Sequence, residues 1–342
     1  VDVPTWVWIA TGVVTLAIFT FDLAVVGRRP HEPSMKECAT YLSIYVGLAL
    51  LFGLGVWYTN GGTYALEFYS GWLVEYSLSI DNLFIFIIIM AKFAVPRELQ
   101  QYALMIGIVM ALLMRAIFIA VGAAAITNFS WIFYLFGLFL VYTAFKLAKE
   151  GAEDEDEEFE ENKLVAFIER RFPATSEWHG RELFHSDAGK RMITPMFIVI
   201  VTLGTTDLLF ALDSIPAIFG ITKEPYLVLT ANIFALMGLR QLYFLIGGLL
   251  QRLIYLSYGL AFLLAFIGVK LFFHALHENE LPFINGGEHL DYAWLEIPIW
   301  LSLVVIVATL AVTAALSLFV SSRMSSEEQD ASTGPRRDWE DD

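Results

Sequence analysis

One cysteine, Cys38, in 342 residues excludes an intramolecular disulfide and any thiolate cluster for zinc or copper. Its simplest role is a small residue at a helix start. Histidine is scarce as well, with six in the chain. His179 and His185 fall in one long loop and His274 and His277 near the end of an apolar run, and with no second ligand pair at metal spacing neither pair is assigned a metal. No nucleophile has a nearby base, no glycine loop would cradle phosphate and no HExxH pair occurs, so an enzyme is the least supported reading. The first ten residues lack a basic stretch, which argues against a cleaved signal peptide; Trp6 and Trp8 read as interfacial anchors of a first span. Charged residues are only 17% of the chain against 57% hydrophobic, too few for an ordinary soluble domain.

Long apolar runs are what the chain has instead, with a mean hydropathy of +0.63. Nine stretches reach the ~20 residues that cross ~30 Å of hydrocarbon as a helix: 6–26, 38–57, 66–91, 99–124, 131–147, 194–220, 226–247, 253–273 and 298–320. The expected fold is therefore all-α and polytopic. Lys and Arg crowd alternate loops, among them Arg28, Arg29, Lys92, Arg97, Arg170, Arg171 and Arg252, while the other loops hold only Lys223. That bias places the N-terminus outside and the C-terminus in the cytoplasm of a multi-pass protein of the cytoplasmic membrane. The net charge of −15 comes largely from solvated acidic runs at 150–161 and 327–342. Within the long loop, Leu164, Phe167, Ile168 and Phe172 fit one apolar face of a short helix.

The few charges inside the spans are ordered. Residues 107–122 align without a gap on 232–247, superposing Arg115 on Arg240, and "YTAFKL" on "FIGVKL" superposes Lys146 on Lys270. Glu75 and Asp81 are six residues apart, as are Asp207 and Asp213, and "EYSLSIDNLF" aligns on "DLLFALDSIP" acid on acid. Three helices thus repeat, with opposite topology, as in many secondary transporters. The expected segments are 1–65, two leading helices; 66–149, the first repeat; 150–193, an acidic cytoplasmic loop; 194–276, the inverted second repeat; and 277–342, an outer loop, a last helix and an acidic tail.

Left unpaired, eight such charges would cost on the order of 20 kcal/mol, at ~2.5–3.5 kcal/mol each. Structural pairing of four acids with four bases would explain neutrality, and Lys146 and Lys270 can snorkel from helix ends. It does not explain the spacing: six residues advance about 9 Å and turn the second acid about 120° away, so one straight helix cannot chelate a small ion with both. Either the helix deforms or the partners come from the other repeat. Pro216 provides one deformation, because it cannot donate to the Leu212 carbonyl beside Asp213. Ser77, Asn82, Thr206 and Ser214 add neutral oxygens for support or ligation. An all-oxygen set suits Mg²⁺, Mn²⁺ or Ca²⁺, or protons carried by carboxylates.

From about Gly71 to Phe273 the chain resembles the TerC family, integral membrane proteins associated with tellurium resistance and, in the Alx-type branch, with manganese export. "EYSLSIDNLF", "FAVP", "TPMF", "TDLLFALDSIPAIFGIT", "LTANIFALMGLRQLYFL" and "FIGVKL" carry the likeness. It implies Mn²⁺ efflux, with Glu75, Asp81, Asp207 and Asp213 as the metal site, Asn82 and Ser214 beside them. One departure is Gly204, where the family commonly has a glutamate. The expected partners are the divalent ion and the lipid bilayer, with Arg115, Arg240, Lys146 and Lys270 as charge partners; no nucleic acid is expected. A competing reading is a scaffold that recruits soluble proteins through the acidic loop and tail, its buried ion pairs purely structural. A weaker one is a retinal-type pigment attached at Lys270.

Overall fold

The computed structural model describes residues 3–28, 33–129, 131–150, 175, 177–187, 190–246, 255–277, 297–321 and 323. The acidic loop and tail, including the amphipathic stretch 164–172, lie outside these. Nine helices among the described residues are long and apolar enough to cross a membrane, matching the nine expected spans. They are α1 (Thr5–Arg28), α2 (Met35–Asn60), α3 (Gly62–Lys92), α4 (Arg97–Asn128), α5 (Ile132–Glu150), α6 (Pro195–Phe219), α7 (Pro225–Ile246), α8 (Leu256–His277) and α9 (Ile299–Ser321). The described strands, β1 (Phe184–Asp187) and β2 (Lys190–Ile193), form one antiparallel hairpin that leads into α6, with His185 opposite Met192.

Local chemistry sets the boundaries. Ser34 caps α2 by accepting from the Glu37 amide at 3.2 Å, and Thr194 caps α6 by accepting from the Phe197 amide at 3.3 Å, with Pro195 just inside. The α3–α4 corner turns on Ala94, whose φ of 48° is left-handed, while the Val95 amide reaches back to the Met90 carbonyl at 2.9 Å. Pro96 then opens α4.

The packing is reciprocal. α3 lies along α7 and α6 along α4, so the first helix of each expected repeat rests on the second of the other, while the two third helices, α5 and α8, share the most extensive contact. Gly137 and Gly268 make that contact close: a Cβ on Gly137 would stand 2.8 Å from the Gly268 carbonyl oxygen, and one on Gly268 would stand 2.9 Å from that of Gly137. One apolar core runs through α3, α4, α6 and α7, and a second joins α5, α8 and α9. Leu135, Tyr142, Phe145 and Trp300 point outward, as a bilayer-facing surface requires.

Candidate functional site

Four helices deliver their polar residues to one buried point. Arg115 of α4 is 0% exposed, Glu75 of α3 is 0% and Asp207 of α6 is 1%. The guanidinium grips Asp207 with two bonds, Nε to Oδ2 and Nη2 to Oδ1, each 3.0 Å. This is the fork geometry that makes arginine the strongest carboxylate partner. Nη1 forms an ion pair with Glu75 Oε1, donates to Asn232 Oδ1 of α7 at 3.1 Å and reaches Ser214 Oγ at 3.4 Å. Asn232 is oriented by its own amide, which donates to the Val228 carbonyl at 3.0 Å.

The cluster holds two carboxylates and one guanidinium, so it has one more acid than base. Glu75 Oε2 is buried with no hydrogen-bond partner among the described residues, and Ser79 Oγ and Asn82 Nδ2, farther along α3, are likewise buried and unpartnered. Such groups are costly in a membrane core unless water or an ion meets them.

The expected residues are thus divided. Glu75, Asp207 and Ser214 come together on Arg115. Ser77 is satisfied by its own helix, donating to the Leu73 carbonyl at 2.6 Å, and Thr206 is buried beside Asp207. Asp213 lies six residues past Asp207 on α6, half-buried, and its side chain makes no hydrogen bond or ion pair to another described residue. Asp81 occupies the matching place on α3, and its side chain lies outside the described ones. Leu212 is exposed, and α6 continues past Pro216 to Phe219. The two first acids therefore meet on Arg115, through contact of α3 and α6 with α4. Among the described residues no group of three or more His, Cys, Asp or Glu is placed to hold a metal, since Arg115 sits between the acids.

Arg240 departs from the repeat. If the symmetry extended to its contacts it would face Glu75 and Asn82; it pairs instead with Asp22 of α1, Nη2 to Oδ2, at 3.0 Å. Lys270 donates to Ser302 Oγ of α9 at 3.2 Å, and Lys146 is exposed on α5. The balance of four acids to four bases was incomplete, because Asp22 and Glu67 also lie inside helices. The rule that marks any ionisable residue within a span would have found both. Asn232 carried no comparable signal. Gly204 packs under Met110, where a Cβ would stand 2.6 Å from the methionine Cε. His179 and His185 stack ring on ring at 3.7 Å.

Residues 60–325 match the integral membrane protein TerC family. An uncharacterised membrane protein of Mycobacterium bovis is 45% identical over 92% of this chain and 79% of its own length. Proteins named putative membrane-bound redox modulator Alx are 34% identical: that of Photorhabdus laumondii over 94% of this chain and 97% of its own length, and that of Escherichia coli K12 over 92% and 95%. No solved structure matches the chain. With family and close relatives matched over most of its length, this integral membrane protein belongs to the TerC family.

Proposed function

We propose that this protein exports a hard divalent cation, Mn²⁺ first of all, from the cytoplasm by alternating access between two inverted three-helix repeats. The observation that carries the reading is the buried cluster of Glu75 and Asp207 on the single base Arg115, with Asn232 Oδ1 and Ser214 Oγ beside them. A buried carboxylate in excess calls for a cation, and carboxylate, amide and hydroxyl oxygens favour a hard one. The resemblance to the Alx-type branch points to manganese among these.

Arg115 is the resident counter-ion of the empty carrier in this scheme. It holds a carboxylate from each repeat, and an arriving divalent ion takes over those oxygens as the guanidinium withdraws. Asp81 and Asp213 supply further oxygens as the repeats move. Binding energy for the ion is thereby spent on breaking the Arg115 contacts, which ties occupancy to conformation.

Mn²⁺ uptake into proteoliposomes tests the reading. Glu75→Gln is the cleanest variant, since it keeps the Asp207–Arg115 fork and so the fold. Flux is expected to fall by about tenfold or more, as removing a charged ligand from a buried site costs at least ~1.4 kcal/mol. Asp213→Asn, which breaks no side-chain hydrogen bond or ion pair to the described residues, is expected to lower flux as well. Unchanged flux in both variants would overturn the proposal.

A further inference from the structure

The two ends of the bundle differ in a way the buried cluster does not explain. At the end carrying the α2–α3 and α6–α7 turns, a cavity of about 470 Å³ opens between α3, α8, the start of α9 and residues 220–224. Glu67 of α3 and Lys270 of α8 stand on its walls, both half-buried, and do not form an ion pair. Glu67 accepts from Thr222 Oγ1 at 2.6 Å, and Lys270 holds Ser302 Oγ. Each opposite charge thus rests on a neutral hydroxyl. At the other end Asp22 and Arg240 are joined at 3.0 Å, the Tyr45 hydroxyl also donates to Asp22 at 3.4 Å, and the space lined by Cys38, Gln101 and Arg240 is about 10 Å³. Among the described residues, one end has a cavity with its charges apart and the other has its charges together beside a much smaller space.

α3 joins the cavity to the cluster. Glu67 and Glu75 are eight residues apart on one helix, about 12 Å. Ser70 Oγ, three residues past Glu67 and on the cavity's side of the helix, is buried without a partner among the described residues, while the unpartnered Ser79 and Asn82 atoms share the side of Glu75. A membrane helix tolerates such groups where water or ions reach them. Phe219, which lines the cavity, lodges against Gly122 of α4, where a Cβ would stand 2.8 Å from its ring.

We propose that this cavity is the access route between the outer side and the buried cluster, and that Glu67 and Lys270 are the pair that closes it. The inference rests on the transport reading for its direction, and on the geometry for its residues. The two walls belong to different repeats, so movement of one repeat against the other brings the carboxylate to the ammonium. The pair then narrows the outer end, as Asp22 and Arg240 are joined across α1 and α7 at the other.

Accessibility to a small membrane-impermeant cationic methanethiosulfonate tests this without relying on transport. In a Cys38→Ala background, Thr222→Cys, which lines the cavity, and Ser70→Cys, deeper along α3, are both expected to react from the outer side of oriented vesicles. Lys270→Gln and Glu67→Gln should each raise the Ser70→Cys rate about threefold or more, because loss of the closing pair populates the open state. The exchange Glu67→Lys with Lys270→Glu should return it to the parent rate. A Ser70→Cys that stays silent while Thr222→Cys reacts would mean a blind cavity and sink the proposal, as would an exchanged pair that restores nothing. If the accessibility pattern holds without Mn²⁺ flux, the route stands and the cargo assignment falls; if flux persists while Ser70→Cys stays silent, the route falls and the cargo assignment stands.

Discussion

Arg115 shows how far a single residue can be read from sequence. That a charge inside an apolar helix needs partners followed from its cost, and the repeat pointed to acids of α3 and α6. Which acids was a matter of packing: Asp207 takes two of its bonds and Glu75 shares Nη1 with Asn232, whereas Arg240, its counterpart, turns to Asp22. Spacing along one helix cannot foretell a pairing made between helices. The arrangement predicts an ordered set of stabilities. Arg115→Met leaves two buried carboxylates without a base and should cost about 3–5 kcal/mol, seen as a lower thermal unfolding midpoint in detergent. Adding Asp207→Asn restores the original excess of one acid and should recover a large part of the loss. Arg115→Lys should rank between wild type and Arg115→Met, since an ammonium keeps the charge but loses the fork.

At the level of the helices, the nine spans were legible because length and hydropathy suffice to mark them, and the corner residues Ser34, Thr194 and Pro96 sit where capping chemistry puts them. Less legible was how Pro216 would act: the helix accommodates it three residues before its end, so α6 delivers Asp207 inward and leaves Asp213 on a separate, half-buried face. The α5–α8 contact was not legible either, because a glycine in an apolar run gives no sign of what approaches it. The approach here is backbone to backbone, and it sets a test. Gly137→Ala and Gly268→Ala must push the helices apart, and each should destabilise the protein by about 1–3 kcal/mol. Gly55→Ala on α2, with nothing within 4 Å of the added methyl, should be neutral or slightly stabilising. Equal effects at all three sites would show that helix propensity rather than close packing governs the contact.

For the whole molecule, the proposed transport turns on charge. A carrier whose empty site holds more carboxylate than base must be neutralised each time it is sealed from water, and proton and divalent ion compete for the same oxygens. The sign of the pH effect follows: acid favours protonated carboxylates, so apparent Mn²⁺ affinity should weaken as pH falls. If one proton leaves for each ion bound, the apparent Kd measured by Mn²⁺ titration of the purified protein should rise about tenfold per pH unit in the acid range, and Glu75→Gln should flatten the slope. A scaffold acting through its acidic loop and tail makes the contrary forecast. Its ion pairs would be structural, Mn²⁺ would bind weakly to solvated acids, and the pH slope would be the same with or without Glu75. Measuring the slope in a variant truncated before residue 324 removes the acidic tail from the comparison. A slope that then survives in wild type and vanishes in Glu75→Gln places the competition at the buried cluster, whereas one that leaves with the tail assigns it to the surface.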